Sequence, residues 1–178
     1  MDQTHTQDQN YQYEFSSNDF RFTNSGKNSI SLILMYLKKL QKYNSKEDEM
    51  FVPPYMGNWI YSSINQNILT STKYSKNTKV LYMYHQFGIP QKIDTIKSFC
   101  LDKNLVLIED CAHVLSGFSK KNKLEIGNKD NYVVYSFSKF LDCNPLGGLK
   151  SSNKEFLKFV DREISNSSLL QSYLNFLL

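Results

Sequence analysis

Lys79-Val80-Leu81-Tyr82-Met83-Tyr84 is a short apolar run of β-forming residues, the right length for a buried strand. His85-Gln86-Phe87-Gly88 follows as a loop. Pro90 suits a helix start, because it has no amide hydrogen to leave unpaired there. Ile93, Ile96, Phe99 and Cys100 then recur at helical spacing and give one apolar stripe. Leu105-Val106-Leu107-Ile108 is the returning strand, and it ends in Glu109-Asp110. Strand, helix and strand within residues 79–110 make a βαβ unit, whose strands lie parallel because the helix carries the chain back across the sheet. The fold class is therefore α/β, with a largely parallel sheet flanked by helices.

The same reading extends in both directions. Tyr132-Val133-Val134-Tyr135-Ser136 and Leu146 to Lys150 are further strand candidates, and residues 153–164 form an amphipathic helix with Phe156, Leu157 and Val160 on one side. Upstream, Ile30, Ile33, Leu34, Leu37 and Leu40 mark a helix, with Ser25-Gly26 as its start. Glu49 to Val52 is a short strand stopped by Pro53-Pro54, Gly57 to Gln66 a second short helix, and the polar run Asn67 to Thr78 a loop. Residues 1–18 are polar and read as a mobile tail, which leaves residues 19–178 as the domain.

Composition removes several function classes. The chain has 178 residues with 40% apolar and 21% charged, a single soluble domain able to bury a core. Its net charge is +4, but all except two of the 21 basic residues are scattered lysines, which argues against a nucleic-acid surface. The longest apolar stretch, Ile30 to Leu37, is far below the roughly 20 residues of a membrane crossing. Met1-Asp2-Gln3-Thr4-His5 has neither the basic nor the apolar part of a secretory signal. Cys100, Cys111 and Cys143 form no CxxC pair, which suits reduced thiols in the cytoplasm and no metal site.

Ligands of open parallel sheets collect beyond the carboxyl ends of the strands, so residues after Tyr84, Asp110 and Ser136 are the candidates for chemistry. Asp110 at one strand end and Lys139 just past another can face the same crevice, with Gly147-Gly148 allowing backbone to approach a ligand closely. A P-loop at Ser25-Gly26-Lys27-Asn28-Ser29 lacks its first glycine, which is Arg21 here. No G-x-S-x-G elbow is present, and Cys111 with His113 on one short loop would point in different directions.

Tyr84-His85-Gln86-Phe87-Gly88, Leu107-Ile108-Glu109-Asp110-Cys111-Ala112-His113, Tyr135-Ser136-Phe137-Ser138-Lys139 and Gly147-Gly148 occur in one order at workable spacing. Together they resemble the DegT/DnrJ/EryC1/StrS family of pyridoxal-phosphate sugar aminotransferases, with its V-H-x-x-G loop, E-D-x-A-Q/H turn, S-F-x-K segment and G-G. The resemblance implies the large-domain fold of fold-type I pyridoxal-phosphate enzymes and transfer of an amino group, with glutamate as expected donor, to a keto group of a nucleotide-linked sugar. Lys139 takes the place of the lysine that joins the cofactor, and Asp110 that of the carboxylate beside the ring nitrogen. His113 stands near the phenolic oxygen and His85 in the same pocket. Ser25, Gly26 and Lys27 at a helix start, together with Ser136, are implied to bind the phosphate, and Tyr55 or Trp59 to stack on the ring.

Two departures accompany the resemblance. Ser29 replaces a small apolar residue of the phosphate loop, and the polar run before Val80 replaces a strand and helix. Family chains are about twice as long, carry a C-terminal domain and form homodimers, whereas this one stops at Leu178 after the apolar tail from Leu169. A shortened aminotransferase is the expectation, and a non-catalytic remnant or binding module is the alternative.

Overall fold

The computed structural model describes residues 18–114, 126–128, 130–142 and 145–165. The expected tail up to residue 17, Cys143 and the apolar run from Leu169 to Leu178 lie outside them. In chain order the elements are β1 (Phe20–Thr23), α1 (Gly26–Lys39), β2 (Glu49–Phe51), α2 (Asn58–Asn65), β3 (Leu69–Ser71) and β4 (Thr78–Tyr84). Then come α3 (Ile93–Asp102), β5 (Val106–Asp110), β6 (Tyr132–Ser136), β7 (Gly147–Lys150) and α4 (Lys154–Ser165). Seven strands make one sheet in the order β1-β7-β6-β5-β4-β2-β3. Neighbours from β3 to β6 run parallel, while β7 is antiparallel to both β6 and β1.

The βαβ unit anchors this sheet. β4 and β5 pair with Val80 opposite Val106 and Tyr84 opposite Asp110. Side chains alternate along each strand. Val80, Tyr82 and Ile108 therefore join the core under α1, α2 and α4, while Leu81, Met83 and Leu107 join the one that includes α3. The helix α1 forms because Ile30, Ile33, Leu34 and Leu37 fall on one buried stripe, each worth about 1.5–3 kcal/mol of burial. Ser25 caps it by accepting from the Asn28 N–H at 3.2 Å. Arg21, where a P-loop would need glycine, makes a bidentate pair with Asp161 and ties β1 to α4.

Three details differ from the sequence reading. The run Asn67–Thr78 contains β3, an edge strand with Leu69 exposed, so its polarity concealed it. β1 is the other edge, and only Phe20 and Thr23 at its ends are buried. Helix α3 starts at Ile93 rather than at Pro90, because Lys92 is non-helical (φ −75°, ψ 74°) and the Ile93 N–H closes a tight turn onto Gln91 O at 2.9 Å. Among the described residues no helix is long and apolar enough to cross a membrane.

Candidate functional site

The carboxyl ends of β4, β5 and β6 open into a cavity of about 590 Å³. The start of α1 lines it with Ser25, Gly26 and Lys27, the turn before α2 with Tyr55, and the start of α2 with Trp59. Tyr84 follows from β4, Asp110 and His113 from β5 and its turn, and Ser136, Ser138 and Lys139 from the end of β6.

Asp110 is 4% exposed. Its Oδ1 accepts from the Ala112 N–H at 2.8 Å and its Oδ2 from the Tyr82 hydroxyl at 2.5 Å. Burial holds the carboxyl above its ordinary value, although those two hydrogen bonds, then Lys139 and His85, pull the other way. Among the described residues its hydrogen-bond partners are a phenol and a backbone amide, and none is a cation. The Tyr82 phenol is in turn pushed well up by burial and then by Asp110.

Lys139 is exposed, and its Nζ lies 2.9 Å from His113 Nε2. The other ring nitrogen of His113 accepts from the Phe87 backbone N–H at 3.1 Å. Burial, then the Lys139 charge, lowers the His113 pKa, which favours a neutral imidazole. The Tyr84 hydroxyl reaches the same ring, and burial, followed by Asp110 and Tyr55, pushes it up to about 12.

Two glycines explain how α1 is brought to this place. A side chain on Gly26 would press on Ser136 Cβ and Tyr135 O, both at 3.3 Å. A side chain on Gly147 would collide with the Ser25–Gly26 backbone itself. The start of α1 is thus wedged between β6 and β7, and Ser25 and Ser136 share one end of the cavity.

Residues 62–158 match the DegT/DnrJ/EryC1/StrS aminotransferase family. The chain belongs to that family. Its fold is that of several solved structures. One is Helicobacter pylori PseC, an aminotransferase involved in the biosynthesis of pseudoaminic acid (TM-score 0.66, 14% identity, covering 80% of this chain and 42% of that one). Another is DesV of S. venezuelae (TM-score 0.63, 16% identity, 78% and 41%). A third is NtdA of Bacillus subtilis, solved with bound cofactor PMP (TM-score 0.59, 17% identity, 79% and 34%). The chain spans between 34% and 42% of the length of these three. The largely parallel sheet flanked by helices is the large-domain fold of fold-type I aminotransferases.

Against this family's pattern, the structure gathers Ser25, Gly26, Lys27, Tyr55, Asp110, His113, Ser136 and Lys139 around one cavity. His85 does not join them. It is fully buried, with Nε2 3.1 Å from Glu109 Oε1 and Nδ1 taken by the Gln91 N–H. Glu109 precedes Asp110 on β5 and so points to the other side of the sheet. His85, Glu109 and Cys111 bring their ligand-type atoms within 4.8 Å of one another, each with internal partners. Gly147-Gly148 serves the chain's own packing and not the approach of a ligand, since the Gly147 space is filled by α1 backbone and the Gly148 space by the Phe20 and Phe137 rings. The Cys111 thiol is buried and raised well above its ordinary value, chiefly by burial, on the Glu109 side and away from His113.

Tyr55 and Trp59 are 48% and 63% exposed, so neither is a core aromatic. Ser29 is buried with its hydroxyl 2.7 Å from Thr23 Oγ1 and donating to Gly148 O at 3.0 Å, a polar clasp between α1, β1 and β7. Sequence reasoning missed Tyr82 and Tyr84. Their alternation on β4 was visible, but only the register with Asp110 shows that both hydroxyls serve the cavity side.

Proposed function

We propose that the chain carries the cofactor-binding half of a pyridoxal-phosphate-dependent sugar aminotransferase. One observation carries this reading: Asp110, a buried carboxylate with no cationic hydrogen-bond partner among the described residues, faces the same cavity as the amine of Lys139 and the start of α1.

The donor set suits each part of pyridoxal phosphate. The α1 amides at Ser25 to Lys27, with the Ser25 and Ser136 hydroxyls, would bind the phosphate at the positive end of a helix dipole. Asp110 would hold a protonated ring nitrogen and gain the counter-charge that burial now withholds. The exposed faces of Tyr55 and Trp59 would flank the ring. Lys139 Nζ would engage the carbonyl, and His113 would lie near the phenolic oxygen. The cofactor, when bound, supplies an electron sink for a carbanion beside the transferred nitrogen.

The chain's own residues have simpler duties. Asp110 keeps a proton in place at the cavity's buried end, against a background of neutral donors. Lys139 Nζ is the mobile amine, able to take and return a proton inside the cavity. His113, locked by the Phe87 N–H, limits where that amine can go. A nucleotide-linked keto sugar as acceptor, glutamate as donor, a homodimer and a cytoplasmic setting are supported by membership of the family.

The decisive experiment is a visible-absorbance titration of the purified chain with pyridoxal phosphate, then borohydride reduction and peptide mapping. The reading expects a trapped adduct on Lys139 and none in Lys139→Ala. Folded protein that traps nothing would leave a family fold without family chemistry. Incubation of the loaded protein with glutamate, read by the cofactor's change in absorbance, tests the donor.

A further inference from the structure

Tyr82 sits in the middle of β4, buried in the same core cluster as Val80, Ile108 and Val134. A phenylalanine would fill that volume without carrying a hydroxyl into an apolar interior, where an unpartnered one is destabilising. The hydroxyl finds its acceptor across the sheet. Tyr82 lies opposite Ile108, and Asp110 is two residues further along the same side of β5, so the phenol reaches diagonally to Oδ2 at 2.5 Å. The Ala112 N–H holds the other oxygen at 2.8 Å. A carboxylate has about four lone-pair sites, so each oxygen keeps one beyond these two fixed donors.

The two donors are of different kinds. The Ala112 amide comes with the backbone of the turn after β5, whereas the Tyr82 hydroxyl is a side-chain choice on the neighbouring strand. Burial disfavours the charge on Asp110, and the Tyr82 hydroxyl is the foremost influence opposing burial. The other titratable groups around the carboxylate come from three directions. Tyr84, opposite Asp110 on β4, is pushed up to about 12, chiefly by burial, and stays neutral. Cys111, next in the chain, is raised well above its ordinary value, again by burial first. Lys139 after β6 and His85 after β4 favour the charge, but less than the two hydrogen bonds do. Among the described residues none of these four gives the carboxylate a hydrogen bond.

We propose that Tyr82 is a positioning residue: its hydroxyl fixes Asp110 through Oδ2 and keeps the carboxylate charged before a cationic ring nitrogen arrives. This rests on the reading of Asp110 as the partner of that nitrogen. A carboxyl that burial had neutralised would offer the ring no counter-charge. Tyr82 therefore acts on cofactor affinity through the protonation of Asp110, and its contribution depends on pH. A residue that only filled the core would contribute equally at every pH.

The test begins with the full chain without cofactor. Carbon spectra of aspartate-labelled protein follow each carboxyl through its titration, and the Asp110 signal is the one lost in Asp110→Asn. Tyr82→Phe should bind the Asp110 proton at least about tenfold more tightly, the scale of one hydrogen bond to a charged group. Tyr84→Phe, the same change two residues along, should leave the midpoint in place. An unmoved midpoint in Tyr82→Phe, or an equal rise in Tyr84→Phe, overturns the proposal. In the original protein the Tyr82 ring carbon bearing the hydroxyl should shift at the Asp110 midpoint, and a signal indifferent to Asp110 also overturns it. With pyridoxal phosphate, Tyr82→Phe should lose up to about tenfold in affinity in acid and regain it as pH rises past its own Asp110 midpoint. An equal loss at every pH would make Tyr82 scaffold only. The carbon spectra involve no pyridoxal phosphate. A protein with the coupled titration that traps no cofactor contradicts the functional reading and not this one, and one that traps it with an unmoved midpoint contradicts this one alone.

Discussion

Glu109 and Asp110 are consecutive carboxylates at the end of one strand, both almost without solvent, and their surroundings are opposite in kind. Glu109 Oε1 faces His85 Nε2 at 3.1 Å and accepts from the Gly127 N–H at 2.7 Å, while Oε2 accepts from the Asn131 amide at 2.9 Å. Asp110 has one hydroxyl and one amide, and beyond them an open cavity. On one face of β5 a carboxylate is surrounded by donors and holds loops together. On the other face its neighbour keeps an unmet demand for positive charge. Burial alone would not separate these roles; the partners do.

The largest expected effect lies on the sealed face. Glu109→Ala leaves His85 Nε2, the Gly127 N–H and the Asn131 amide without their acceptor in a dry interior. Breaking such a group costs about 3–5 kcal/mol in other buried pairs, and urea unfolding should show a loss on that scale. A loss under about 1 kcal/mol, the size of a single ordinary hydrogen bond, would mean that water replaces the carboxylate and that the face is not sealed.

Gly147→Ala strikes the boundary between scaffold and cavity. The new methyl meets the Ser25–Gly26 backbone, which has no side chain to swing away. Overpacking of this kind costs about 1–3 kcal/mol. Because the displaced backbone is also the start of α1, pyridoxal-phosphate affinity should fall with stability. Loss of stability with affinity intact would show that β7 yields while α1 stays.

Ser29→Ala is smaller. It removes the hydroxyl that bonds Thr23 Oγ1 and Gly148 O, but Thr23 keeps a bond to Ser25 O at 3.1 Å. A loss of about 1 kcal/mol in urea unfolding follows. A gain in stability would mean that the small apolar residue usual at this position packs better than the clasp bonds.

The βαβ unit was legible in the sequence because both of its strands are buried on two faces and read as unbroken apolar runs. β1 and β3 were not, because edge strands need no such run; Thr70 and Ser71 look like loop until β2 pairs with them. Lys139 and Asp110 were legible as strand-end residues, since strand ends fix position along the sheet. His85 was also a strand-end residue, and there the same logic failed. Its direction is set by Gln91 and Glu109, contacts that only the folded chain makes. Gly147-Gly148 announced a close approach correctly, but sequence does not say what approaches, and the answer is α1 and two aromatic rings.

The smallest expected change in stability is the sharpest test of the contrast. Asp110→Asn keeps both internal contacts: the amide carbonyl accepts from the Ala112 N–H, and the amide nitrogen donates to Tyr82 Oη after a hydroxyl rotation. It removes a charge that burial disfavours. The folded-state pKa of Asp110 lies above its ordinary value, so the native state binds more protons than the unfolded one between the two, and the carboxylate lowers stability at pH above that window. As pH falls through the raised value the carboxyl takes up a proton and the penalty disappears. Without cofactor, Asp110→Asn should therefore be at least as stable as the original protein at neutral pH, with the difference closing in acid. With pyridoxal phosphate the order reverses, because the variant lacks the charge for the ring nitrogen, and affinity should drop at least about tenfold, the scale of one charge-assisted hydrogen bond. A variant as unstable as Glu109→Ala would make both carboxylates scaffold and dissolve the distinction between the two faces.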